Sequence, residues 1–227
     1  MLQLVIGNKN YSSWSMRPWV LMRQFDIAFE EIKLRFDFAP GSAFYRELAR
    51  YTPAGRVPVL LVDGFAVWDT LAIAEYLAEK FPGKALWPAP VRERARARCL
   101  CAEMHAGFSA LRSHFPMNIE ASLPEVGAQK LREVPEVKRD VARIVDMWSG
   151  QLDASGGPFL FGAFGIADAY FAPVCTRFRT YGLLLPEAPA AYSRRVLELP
   201  AMRQWDRDAC AEKDFLPFDE PYRQAPQ

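Results

Sequence analysis

The sequence predicts an α/β domain followed by an all-α domain, and three observations carry that prediction. Strand-like apolar runs occur only in the first 70 residues, a Pro- and Gly-bearing stretch "FPGKALWPAP" spans 81–90, and long helical windows fill the rest. Linkers collect proline and glycine where few contacts cross, so the expected division is 1–82, a linker at 83–91, and 92–227.

Taken in order, "LQLVI" (2–6) suits a buried strand, and "EIKLRF" (31–36) alternates Ile32, Leu34 and Phe36 with charged residues, the period of a half-buried strand. Between them Met16, Trp19 and Val20 form one apolar stripe of a helix, and "SAFYRELARY" (42–51) reads as a second helix. "VPVLLVDGFAVW" places two apolar runs either side of Asp63-Gly64, a two-residue turn for a tight antiparallel hairpin. "TLAIAEYLAEKF" (70–81) gives a third helix that stops before Pro82-Gly83. A helical crossover makes the first two strands parallel, so a small mixed sheet with helices on both faces results. Past the linker, helices are expected near 89–118, 128–154, 166–181 and 198–212, with Pro135 and Pro173 as points of breakage or kinking.

Composition bounds the partners. Lys plus Arg number 28 against 27 for Asp plus Glu, so no overall field recruits nucleic acid or an anionic membrane, and a small molecule is the expected partner. "RERARAR" (92–98) spreads its arginines around a helix and reads as a solvated face. The start is too short an apolar run for a signal peptide and no run of about 18 uncharged apolar residues occurs, which places the chain in the cytoplasm. Cys99, Cys101, Cys175 and Cys210 lack disulfide or metal spacing and are read as reduced and mostly structural, with no metal expected.

The turn "NYSSWSMRPWV" (10–20) carries more hydroxyls than capping needs. One serine suffices as N-cap, and Pro18 is tolerated in a first helical turn. A strand, this turn, a helix, then "RVPVLL" and "WDTLAIAEYL" ahead of a helical half resemble the cytosolic glutathione transferase superfamily over nearly the whole chain. "SSWSMR" resembles the zeta class signature, with Trp14 in place of its cysteine.

The resemblance implies a thioredoxin-like, glutathione-binding first domain and a helical domain that contributes the acceptor site. By that match Ser12 is the hydroxyl that activates the glutathione sulfur, Ser13 its close neighbour and Arg17 an assisting residue, with Ser15 left as the N-cap. Tyr11 is a competing hydroxyl of lower rank. The Val57-Pro58 bond is implied to be cis, with the Val57 backbone pairing with the cysteinyl backbone of glutathione. Asp69-Thr70 stands where the family more often has Glu-Ser, gripping the γ-glutamyl end at a helix N-terminus. In "FGAFGIADAYFAP" (161–173) Asp168 has a structural capping role, with Gly165 where a hydroxyl residue is usual. Acceptor-site candidates are Trp14, Met104, His105, Phe108 and Arg112, together with Arg177 or Arg179 as holder of a substrate carboxylate.

A thiol with a reference pKa of about 8.5 is mostly protonated at neutral pH, and a hydroxyl donor beside a helix N-terminus favours the thiolate. The expected function is therefore a serine-type glutathione transferase, with glutathione as co-substrate, an electrophilic acceptor and a homodimeric assembly. Two alternatives stand beside it: a maleylacetoacetate-type cis-trans isomerase, and a non-catalytic binding module. The joint presence of Ser12, Val57 and Asp69-Thr70 favours an enzyme, and the bulk of Trp14 near the sulfur favours conjugation over isomerisation.

Overall fold

The computed structural model of the chain describes residues 1–225; residues 226–227, the end of the expected helical domain, lie outside the described residues. Four strands form one sheet in the order β2-β1-β3-β4, with β1 (Leu2–Ile6) central, β2 (Glu30–Lys33) parallel to it, and β3 (Val59–Val62) and β4 (Phe65–Val67) antiparallel. The β3–β4 turn is Asp63-Gly64, both at positive φ, as a tight hairpin requires. Alternation along β1 sends Leu4 and Ile6 to one face, against Met16 of α1 (Ser13–Gln24) and Ile73 of α3 (Thr70–Lys80). Val5 faces the other way, against Phe44 and Leu48 of α2 (Ala43–Leu48).

After an irregular stretch from 81 to 90 come α4 (Val91–Ala106), α5 (Ser109–His114), α6 (Pro124–Glu133), α7 (Pro135–Ser155), α8 (Ile166–Thr180), α9 (Glu187–Glu198) and α10 (Pro200–Ala211). Among the described residues no helix is long and apolar enough to cross a membrane. The four thiols are free, Cys101 and Cys175 buried, Cys99 and Cys210 exposed. The larger of two cores runs through both halves: α1 packs directly on α8, and Trp19 of α1 meets Trp205 of α10 edge to face at 5.2 Å.

Several boundaries differ from expectation. The second strand stops at Lys33 because Asn8 Oδ1 takes the Phe36 N–H at 2.7 Å and draws the chain off the sheet. The helix expected over 42–51 ends at Leu48 and continues only as turns. The window near 89–118 divides at Gly107 and Phe108, the latter with φ +61°, a conformation bulky residues rarely adopt. That near 128–154 divides at Val134, extended as the residue before a proline prefers to be, so Pro135 starts α7. Pro173 lies inside α8 without ending it, and α9 forms where the sequence predicts no helix. Pro18 occupies the second turn of α1 rather than the first, which removes the N–H that would reach the Trp14 carbonyl.

The loop that carries the serines is tied down from the far end of the chain. Glu212 accepts the Lys9 N–H at 2.8 Å, the Lys9 ammonium pairs with Glu31 at 2.8 Å and Asp208 at 2.6 Å, and Trp205 donates to the Lys9 carbonyl. Asn10 Oδ1 accepts the N–H groups of Ile119 and Glu120. These ties fix the turn before α1 starts.

Candidate active site

A cavity of about 930 Å³ opens between the sheet end of the first half and helices α4, α5 and α8. Ser12, Ser13, Trp14, Val57, Pro58, Asp69, Thr70, His105, Arg112 and Arg177 all line it. Met104, Phe108, Arg17 and Arg179 do not. Met104 and Phe108 are 1% and 7% exposed in the core, while Arg179 pairs with Asp206 on the outer side of α8. Another wall is aromatic, with Phe36 and Phe38 from the β2–α2 connection and Phe44 and Tyr45 from α2.

The serines are arranged differently from their expected roles. Ser12, not Ser15, is the N-cap of α1, its Oγ accepting the Ser15 N–H at 3.4 Å and its C=O the Met16 N–H at 3.1 Å. Ser15 is fully buried; its hydroxyl lies 2.7 Å from that of Ser12 and accepts the Gly7 N–H at 3.1 Å. Ser13 is on the wall and makes no side-chain hydrogen bond among the described residues. Tyr11 lines the cavity, but its hydroxyl is committed: it donates to Glu220 Oε1 at 2.7 Å, and burial followed by that carboxylate pushes its pKa up.

Arg17 lies behind the wall, 1% exposed, its guanidinium 4.3 Å from the Trp14 ring and 4.7 Å from that of Tyr170. Its Nε and Nη1 have no partner, and burial, then the charge of Arg112, pushes its pKa down to about 10. Arg112 and Arg177 are anchored through carbonyls, Arg112 by those of Gly107 and Met104, Arg177 by those of Phe115 at 2.8 Å and Pro173 at 3.2 Å. Burial, then the charges of Arg112 and Arg17, pushes the Arg177 pKa down to about 9. Three guanidinium groups thus concentrate positive potential at this end of the cavity.

Asp69 caps α3, its Oδ1 accepting the Leu71 N–H at 3.4 Å, with Oδ2 3.5 Å from His105 Nε2. The Thr70 hydroxyl, expected to face a ligand, is turned inward: it donates to Asp69 Oδ1 and accepts from Tyr170, both at 3.0 Å. What remains open is the Asp69 carboxylate, about half exposed, and the N-terminus of α3. The Val57-Pro58 bond is cis, and among the described residues no hydrogen bond uses the Val57 backbone. Asp168 is buried and accepts the Leu160 and Gly165 N–H groups at 3.1 and 2.9 Å, the structural role expected of it.

The sequence reading missed the C-terminal segment. A 3-10 turn at Pro217–Asp219 returns to the cavity and sets Asp219 in its wall. Glu220, 5% exposed, holds it there through Tyr11, Asn118 Nδ2 at 2.8 Å and Arg223. Tyr11→Phe leaves a buried carboxylate short of one donor, so it is expected to cost about 1–3 kcal/mol in denaturant unfolding and to expose 213–225 to protease; unchanged stability would show that the clamp carries no weight.

Residues 11–80 match the family model described as glutathione S-transferase, N-terminal domain, and residues 128–205 that described as glutathione S-transferase, C-terminal domain. A maleylacetoacetate isomerase of Pseudomonas aeruginosa is 30% identical over 164 residues, 67% of this chain and 71% of that protein. A probable maleylacetoacetate isomerase of Caenorhabditis elegans is 30% identical over 99 residues, 44% of each, so the match spans less than half of that relative. Among solved structures, a glutathione transferase homolog from Burkholderia with bound glutathione superposes with a TM-score of 0.69 at 23% identity, covering 92% of this chain and 97% of that one, a likeness of fold. With both halves matched by the family's two domains and a 30% identical relative covered over more than two thirds of its length, the chain belongs to the glutathione S-transferase superfamily.

Proposed function

We propose that this chain binds glutathione along the cavity and holds its sulfur as a thiolate at the N-terminus of α1, for attack on an electrophilic acceptor beside Arg112 and Arg177. The observation that carries the reading is that Ser12 and Ser13, Val57, and Asp69, from three separate segments, open on one cavity, where the Ser13 hydroxyl and the Val57 backbone have no partner among the described residues and the Asp69 carboxylate is about half exposed. Its volume, about 930 Å³, is at the upper end of small-molecule sites, typically about 300–1,000 Å³, which leaves space for a tripeptide and a second small molecule.

In this reading the Asp69 carboxylate receives the γ-glutamyl ammonium and the N-terminus of α3 its carboxylate, while the Val57 backbone pairs with the cysteinyl residue. The sulfur then meets Ser12. Ser12 Oγ donates to Ser15 Oγ at 2.7 Å; with glutathione bound, that proton turns to the sulfur, and the Ser15 hydroxyl, whose oxygen keeps the Gly7 N–H, donates to Ser12 in its place. The helix N-terminus and the three arginines add a field that favours the anion. A homodimer, as the family resemblance implies, belongs to the same reading.

Isomerisation is the second reading, favoured by the relatives named maleylacetoacetate isomerase and by the two arginines facing the acceptor end. Conjugation ranks first because the Trp14 ring occupies that wall, 5.1 Å from His105 and 5.0 Å from the Arg112 guanidinium, and limits how a diketo acid can straddle the sulfur. Calorimetry with millimolar glutathione, followed by conjugation, thiol-peroxidase and maleyl-diketone isomerisation assays, tests both. Binding with conjugation exceeding isomerisation is the expected outcome; efficient isomerisation at low substrate reverses the ranking, and absence of binding removes the reading.

A further inference from the structure

The acceptor end of the cavity holds three ionisable side chains whose free atoms are not matched within the protein. Arg112 is held through Nε and Nη2, and Arg177 through Nε and Nη1, which leaves Nη1 of the first and Nη2 of the second without a partner among the described residues. Asp219 lines the same cavity. Its carboxylate makes no hydrogen bond among the described residues and no ion pair within 4 Å, although it acts electrostatically on Arg177. Its position is fixed, because the next residue is Glu220, clamped by Tyr11, Asn118 and Arg223.

A site with two free guanidinium donors and one free carboxylate acceptor has a definite complement. A bare carboxylate satisfies the arginines but lies against the Asp219 charge, whereas a carboxylate with an adjacent ammonium, amino or hydroxyl group satisfies both. We propose that Asp219 is a specificity-determining residue of the acceptor site, selecting acceptors that carry a hydrogen-bond donor or cation next to their acid group over acceptors that carry the acid alone. This rests on the glutathione reading above. Burial, then the neighbouring Glu220, pushes the Asp219 pKa up to about 6, so it is ionised and able to discriminate at neutral pH.

The test uses S-substituted glutathiones of similar size, titrated calorimetrically at neutral pH into the wild-type chain, Asp219→Asn and Asp219→Glu. One conjugate carries a carboxymethyl group, one a 2-amino-2-carboxyethyl group and one an ethyl group; unsubstituted glutathione is the reference. The wild type should prefer the amino-carboxylate to the plain carboxylate. Asp219→Asn should invert that order, the ratio of the two affinities changing about tenfold or more, the effect of one charge at short range in a partly buried site, while Asp219→Glu should keep the wild-type order. If glutathione binds but the ratio is the same in wild type and Asp219→Asn, the assignment of Asp219 is overturned and the glutathione reading stands. If unsubstituted glutathione does not bind the wild type, both fall.

Discussion

Asp69→Asn weakens glutathione binding by about 10- to 100-fold, the loss of one charge-assisted contact of about 1.5–3 kcal/mol, with little change in thermal stability. Asparagine caps helices as well as aspartate does, so α3 keeps its N-terminal hydrogen bond to Leu71. What disappears is the negative charge, which the cavity presents half exposed and opposite the expected γ-glutamyl ammonium. The comparison ligand is glutathione lacking that amino group: it should bind the wild type as weakly as glutathione binds Asp69→Asn, and the substitution should cost it little more. Equal affinity of glutathione for both proteins would place the γ-glutamyl end elsewhere.

Ser12→Ala raises the pKa of the bound glutathione thiol by about one to two units, the same 1.5–3 kcal/mol expressed as a proton affinity. It also costs about 1 kcal/mol of stability, because the residue caps α1. Ser15→Ala separates the two roles. It removes the acceptor of the buried Gly7 N–H, at about 1–3 kcal/mol of stability, and unsettles the Ser12 hydroxyl without removing it, so its effect on the thiol is the smaller. Ser13→Ala should leave stability nearly unchanged; if it alone moves the thiol titration, the active hydroxyl is Ser13.

The parts of this site that were legible in the sequence are those fixed by local chemistry. Asp63-Gly64 sets its hairpin and Asp69 caps the helix beside it, whereas the cis Val57-Pro58 bond was legible only through the family resemblance, because proline permits cis without requiring it. Side-chain direction around a helix was harder to read. Arg177 and Arg179 differ by about 200° about the axis of α8, so one faces the cavity and the other solvent. In α4, Met104 enters the core while His105, about 100° further round, reaches the cavity. The Ser15 assignment failed because α1 begins at Ser13, which hands the cap to Ser12. Least legible was the clamp on the C-terminal segment, where Tyr11 and Glu220 are 209 residues apart and neither carries a local pattern that names the other. That contact, with those of Asn118 and Arg223, sets Asp219 at the cavity.

The most direct test of the central claim, that this cavity stabilises a glutathione thiolate at the start of α1, is the ultraviolet thiolate absorbance of glutathione bound to the wild-type chain, titrated against pH. The expected midpoint lies at least about one unit below that of free glutathione, and Ser12→Ala or Ser13→Ala returns it most of the way. A bound thiol that titrates at or above the free value in the wild type, or a lowered value that neither variant shifts, would contradict the account.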